Sequence, residues 1–309
     1  MNLKQQVAIA GATSGVGLAV LKEIFDAKLS PLILVRQGSN SASRLKARKD
    51  MKVIEVDYQD IRALANTLRG VDVVICTVGN AGLDMQISLI DAAIAAGVKR
   101  FIPSEFGADP EHPMNRRLPF YFPKLRILEY LKLRTAEISS FSFTRITTHA
   151  FLDWGLQERF LADPFAHKIT IYNGGDTRFS VTTLPTIAKT VIAIIQNLEA
   201  TENRAILIHD AAITQNELIH FAKMADGVEW DIQHKDTKVL LQESFNELKK
   251  PRPNVTKAMT GFTFVAVYDE EHDPDLTSKV DNKLLGLPVM DVEDVAEVIR
   301  TSMIKPHLR

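Results

Sequence analysis

The chain has 309 residues, with 37 Lys plus Arg against 38 Asp plus Glu and a formal charge of -1. That balance excludes an overall field that would draw the protein onto nucleic acid or an anionic membrane, while the length allows a core domain with a smaller companion. Cys76 is the only cysteine, which excludes an intramolecular disulfide framework, and no apolar run reaches the ~20 residues of a membrane span. With no long apolar region in "MNLKQQVAIAG" either, the expectation is a cytoplasmic protein with neither nucleic acid nor membrane as partner, and a monomer and a homodimer both stand.

Through the first half, short β-branched runs alternate with amphipathic segments, the pattern of βαβ units feeding a parallel sheet. Strands are expected at 6–10, 31–36, 52–56, 71–78, 100–102 and 141–146. Apolar residues three or four apart predict helices in VGLAVLKEIFDA (16–27), SASRLKARKD (41–50), DIRALANTLRG (60–70) and LDMQISLIDAAIAAG (83–97), with Gly70 and Gly97 as caps. The stretch 103–123, PSEFGADPEHPMNRRLPFYFP, is dense in Pro, Gly and charge and reads as a long loop beside a site, followed by a helix from about Pro123 to Glu137. Beyond 150 the alternation fades. KITIYNGGDTRFSVTT (168–183) predicts a hairpin-like strand pair around Asn173, Gly174 and Gly175, and helices are expected at 184–200, 214–225, 237–250 and 291–303.

The stretch AGATSGVG, residues 10–17, stands where the first strand hands over to the first helix. In a dinucleotide cradle one glycine permits the tight turn, a second lets backbone N–H groups approach the pyrophosphate, and a third allows close helix packing. Gly11, Gly15 and Gly17 suit those places, with Thr13, Ser14 and Val16 completing a helix N-terminus aimed at phosphate. At the end of the second strand, where an acidic residue would bind the ribose of NAD, stands Arg36, with Ser39 and Arg44 behind it. Such donors suit a 2′-phosphate, so NADP(H) is expected over NAD(H). Lys46 and Arg48 read as a solvated helix face. Asp57 is placed toward the adenine, and Thr77, Val78 and Gly79 where the cofactor crosses the fourth strand's end.

Two further stretches, GVKRFIPSEFG (97–107) and FYFPKLRILEYL (120–131), complete a set with GATSGVG, LVRQ and QISLIDAAIAAG. Together they make the chain resemble, over essentially its whole length, the isoflavone reductase-like or NmrA-like branch of the atypical short-chain dehydrogenases, close to its fungal members. RFIPSEFG is the most specific part. The resemblance implies an α/β fold: a Rossmann-like doubly wound parallel sheet with a smaller α+β substrate-side domain. It also implies NADPH binding and reduction of aromatic or phenylpropanoid-like compounds in a cleft between the two parts. The domains are then 1–150 for the cofactor, with contributions from about 176–198 and 288–305, and 151–287 for the substrate. The glycine spacing is G-x-x-x-G-x-G, where plant members of this group have G-x-x-G-x-x-G.

None of Tyr58, Tyr121, Tyr130, Tyr172 or Tyr268 has a lysine four residues later, so the Tyr-x-x-x-Lys acid of typical short-chain dehydrogenases is missing. The resemblance instead puts a lysine near the start of the helix after PSEFG, and Lys124 holds that position, as proton donor or as base. Tyr121 has two readings, a hydroxyl beside Lys124 or aromatic packing. Ser104 and Glu105 shape the loop over the nicotinamide. His149 is a candidate acid or base facing the crevice, with Phe106, Phe151, Trp154 and Tyr172 as an apolar pocket wall; packed core side chains are the competing reading. Glu217 and His220 lie three apart without the second pair a metal site needs, so no metal is expected. A dinucleotide-responsive regulator without turnover, and a non-reductive enzyme on the same fold, stand as alternatives.

Overall fold

The computed structural model describes residues 5–40, 45 and 51–304. The helix expected over 41–50, with Arg44, Lys46 and Arg48, lies outside the described residues except for Leu45. The strands of the first half are β1 (Val7–Ala10), β2 (Leu32–Arg36), β3 (Lys52–Val56), β4 (Val73–Cys76), β5 (Arg100–Ile102) and β6 (Ser142–Thr147), each near its expected place. After them come β7 (Ala150–Phe151), β8 (Lys168–Tyr172), β9 (Phe179–Thr182), β10 (Arg204–Leu207), β11 (Ala211–Ile213) and β12 (Asp231–Lys235). The helices are α1 (Gly15–Asp26), α2 (Ile61–Thr67), α3 (Met85–Ala96), α4 (Phe122–Glu137), α5 (Leu152–Gln157) and α6 (Leu184–Gln196). The chain continues with α7 (Gln215–Asp226), α8 (Thr237–Leu248), α9 (Val255–Tyr268) and α10 (Val292–Ser302).

Among the described residues seven strands make one parallel sheet in the order β10, β6, β5, β4, β1, β2, β3. Ile9 pairs with Ile33 and with Ile75, so the three stack on one face. That face is buried under Val20, Leu21 and Ile24 of α1 and Ile187, Val191 and Ile194 of α6. One residue along, Ala8, Leu34, Val74 and Phe101 turn to the other face, beneath Leu64 of α2, Leu89 of α3 and Ile127 and Leu131 of α4. Burial on both faces explains why these strands read as continuous apolar runs. The strand order reverses between β1 and β4, and a doubly wound sheet opens its ligand crevice at the C-terminal ends of such a pair.

Gly97 closes α3 in the left-handed conformation, as expected, whereas Gly70, also left-handed, stands beyond the Leu68 cap of α2. The hairpin expected over 168–183 does not form. β8 pairs in parallel with β12, while β9 pairs with β11 and β7 in a different sheet. The reason is the turn: Asn173, Gly174 and Gly175 all have positive φ, and the Asn173 carboxamide is engaged by Thr237 and the carbonyl of Tyr268. This steers the chain out of the β8 sheet. Past residue 150 the chain also returns to the main sheet: α6 lies beside α1, and β10 adds to the edge at β6, with Ile206 opposite Ile146. The closing helix α10 packs against α7 and α5 and buries Val295 and Ile299 in one cluster with Leu152, Leu156 and Leu218. No helix among the described residues is long and apolar enough to cross a membrane.

Candidate active site

The cradle is built by two close approaches. At Gly11, φ is +86°, and a Cβ would stand 2.6 Å from the carbonyl carbon of Thr77 and 2.7 Å from the nitrogen of Val78. At Gly17 a Cβ would meet the Gly11 carbonyl oxygen at 2.2 Å, so only hydrogen lets α1 sit flush on the strand ends. Ser14 is the N-cap of α1: its hydroxyl accepts from the Gly17 N–H at 2.9 Å and donates to the Thr77 carbonyl at 2.8 Å. Thr77 donates in turn to the Ala10 carbonyl through its hydroxyl, at 3.1 Å. The first helical bond runs from Leu18 to Ser14, so Gly15 and Val16 head the helix, beside the partly buried Thr13. At Gly15 a Cβ would stand 3.1 Å from the indole atoms of Trp154, so the bare Cα also lets that ring close over the turn.

Arg36 ends β2 with its side chain exposed, and its carbonyl accepts from the Ser39 N–H at 3.0 Å. The Ser39 hydroxyl oxygen has no hydrogen-bond partner among the described residues. Asp57, exposed just past β3, accepts from the Gln59 N–H at 2.9 Å. At the other side of β1, Thr77 is buried, Val78 partly buried and Gly79 exposed. The Ser104 hydroxyl donates to the Val78 carbonyl at 2.7 Å, and its N–H donates to Gln86 Oε1 at 2.8 Å. These bonds clamp the PSEFG loop to the end of β4.

Behind that clamp lies Lys124, in the first turn of α4 and only 5% exposed. Its Nζ stands 3.9 Å from Glu105 Oε2 and 5.7 Å from the centre of the Phe120 ring. Gly107 accepts from the N–H groups of Thr148 and His149 at 2.9 and 3.1 Å, which joins the loop to the end of β6. His149 is buried at a positive φ of 53°; its Nδ1 is unpartnered among the described residues, and burial pushes the imidazole down to about 4. It is neutral at pH 7. Tyr121 is buried against Leu118, Ala258 and Phe262, and burial pushes its phenol well above its usual range. Phe106 and Phe151 pack against the α1 side of the sheet core. Phe151 sits edge-on to Trp154 at 6.0 Å, and Trp154 touches Phe160 at 5.7 Å. Tyr172 lies in the core of the second half, stacked on Tyr268 at 5.2 Å, beside a cavity of about 240 Å³ lined also by Phe160, Phe264 and Gln233.

The structure thus gathers Ser104, Glu105, Gly107, Lys124 and His149 at the ends of β4, β5 and β6, and keeps Tyr172 with the aromatic residues of the second half. Sequence reasoning gave Glu105 no more than loop shape and passed over Gln86. The signal was present in one case: a carboxylate inside the run RFIPSEFG, one residue after a strand-end serine, has little reason to be buried unless a cation awaits it.

A family model described as the NmrA-like family matches residues 3–297. The oxidoreductase aprR of Aspergillus flavus is 31% identical over 296 residues, covering 94% of this chain and 97% of that one. Among solved structures, AtPrR2 with NADP+ and (+)pinoresinol superposes with a TM-score of 0.75 at 20% identity, over 97% of this chain and 99% of that one. The binary complex of leucoanthocyanidin reductase and NADPH from Vitis vinifera superposes with a TM-score of 0.73 at 23% identity, over 95% and 99%. The family model spans nearly the whole chain and the aprR relative is similar over the same length, so the chain belongs to the NmrA-like family.

Proposed function

We propose that this oxidoreductase reduces a small aromatic metabolite of phenylpropanoid or polyketide type, with Lys124 handling the proton. Its cofactor is NADP(H), which supplies the hydride when bound. The chain's own residues fit that group: Gly11 and Gly17 let the N-terminus of α1 seat against the ends of β1 and β4, where its N–H groups would hold a pyrophosphate, and exposed Arg36 would meet a 2′-phosphate. The observation that carries the reading is a lysine amine 5% exposed, held against the loop that is clamped to β4. A lysine with a merely solvated role would extend its ammonium into water. In that place it delivers a proton to the substrate atom that gains electron density, or takes one from a phenol whose departure it assists. The aromatic row from Phe151 through Trp154 and Phe160 supports a flat, apolar substrate class.

Titration of the purified protein with NADPH and NADH, followed by nicotinamide fluorescence, tests the cofactor reading. NADPH is expected to bind more tightly than NADH, and Arg36→Ala to weaken NADPH selectively by about 10- to 100-fold, the loss of one charge-assisted contact. Absence of binding by either nucleotide sinks the reductase reading. Tight binding without turnover on an aromatic panel points to a dinucleotide-responsive regulator, and product formation without NADPH consumption to a non-reductive reaction.

A further inference from the structure

Glu105 is the most confined carboxylate of the site. It is 1% exposed, and neither of its oxygens has a hydrogen-bond partner among the described residues. Buried carboxylates ordinarily gather several donors, because an ion taken out of water without them is strongly disfavoured. The Glu105 oxygens meet one near cation, Lys124 Nζ at 3.9 Å, beyond hydrogen-bonding distance. A second cation, Arg145, is buried on β6, but it is taken up from its other side by Asp109 at 2.8 Å and Glu111 at 2.9 Å. Glu111 also holds Lys132. Asp109, Glu111, Arg145 and Lys132 thus form their own charge cluster, and Glu105 and Lys124 are left facing one another. The other titratable groups against the pair are Tyr121, whose buried phenol stays protonated, and neutral His149 beyond Gly107.

We infer that Glu105 is the positioning residue of Lys124: it holds the ammonium at the strand ends and keeps it charged, so that the resting enzyme presents Lys124 as a proton donor and not as a free base. This rests on the reading of Lys124 as the acid or base of the reaction. The physical reason is the imbalance left by the alternative. If Lys124 lost its proton to solvent, Glu105 would remain as a buried anion with no donor of its own, and burial alone already pushes its carboxyl above the usual range against the pull of Lys124 and Arg145. A substrate atom that gains electron density takes the Lys124 proton, and solvent then returns one proton to the amine.

The test uses the full chain labelled with 13Cε-lysine, in which the Lys124 resonance is identified by its loss in Lys124→Arg. Its shift is followed against pH in wild type, Glu105→Gln and Glu105→Asp, with NADPH titration of each as a check of fold and cradle. The Lys124 midpoint in Glu105→Gln is expected about one pH unit or more below wild type, and Glu105→Asp, which keeps the charge, is expected to return toward wild type. Coincident midpoints for Glu105→Gln and wild type overturn the inference. So does an equal shift in both variants, which marks a packing role; if Glu105→Gln does not fold, the Glu105→Asp midpoint against wild type decides, because retained charge predicts a small displacement. Failure of the underlying reading has a different sign: turnover that survives Lys124→Ala removes the acid, whatever the resonance does.

Discussion

In the seven-strand sheet, β1, β2 and β3 run outward in chain order on one side, and β4, β5 and β6 on the other. β1 lies between β2 and β4, and the helices that join these strands bury the faces the strands present. Beyond residue 150 the partners are distant: β8 pairs with β12, and the turn after β8 is held by Thr237 and Tyr268, 64 and 95 residues from Asn173. The first region is specified by a period of apolar residues that any local window contains. The second is pinned by polar side chains at single positions, such as Asn173 and Gln215, which accepts from the Tyr172 N–H at 2.7 Å and donates to the Thr170 carbonyl at 3.0 Å. Periodicity tolerates substitution, whereas a buried pin leaves its partners unsatisfied when it is lost. The active site sits between these two modes of construction, on loops of the first region that carry side chains inward.

The sharpest way to break that picture is at Lys124. Lys124→Ala should lower turnover by about 10²- to 10⁴-fold, the usual contribution of a positioned acid or base, while NADPH binds as before. Steady-state kinetics beside the fluorescence titration reads both, and a loss of NADPH affinity as large as the loss of turnover would make Lys124 a binding residue instead. The two regions are then compared directly. Gly17→Ala drives a methyl group into the Gly11 carbonyl and should cost about 1–3 kcal/mol of stability together with NADPH affinity. Asn173→Ala removes the pin and leaves an alanine at positive φ, costing about 2–3 kcal/mol with NADPH affinity unchanged. Urea unfolding with and without the nucleotide separates them; equal effects on affinity would erase the distinction between the regions.

The smallest effect is on acid stability. Burial depresses the His149 imidazole from 6.5 to about 4, so the unfolded chain binds a proton there more readily than the folded one. Stability from this group is complete above pH 6.5 and falls as the pH drops from about 6.5 toward 4. His149→Asn, whose side chain suits positive φ, should flatten that part of the slope between unfolding midpoints measured at pH 7 and pH 5. An unchanged slope would assign it to His272, whose burial also pushes it down to about 4.

Much of the first region was legible. The six strand positions, the N-cap Ser14 with its glycines, and the left-handed Gly97 follow from residues close together in the chain. The short strands β7, β11 and β12 were not, because runs of two to five residues are too short to carry a period, and the extended runs flanking Asn173 look like a hairpin until their separate partners are known. Tyr172 is named among the pocket residues in the sequence, and its stacking on Tyr268 depends on α9, 96 residues away.

By itself the sequence determined the cradle, the parallel sheet and the lysine at the head of α4, since strand–turn–helix geometry and apolar period are local properties of the chain. Only the tertiary structure decided that Glu105 lies 3.9 Å from Lys124 with no hydrogen-bond partner among the described residues, that Arg145 is taken up by Asp109 and Glu111, and that Trp154 stands against Gly15. Those facts are matters of distance between separate elements and of water excluded around buried charge, and both exist only once the sheet has brought the ends of β4, β5 and β6 together.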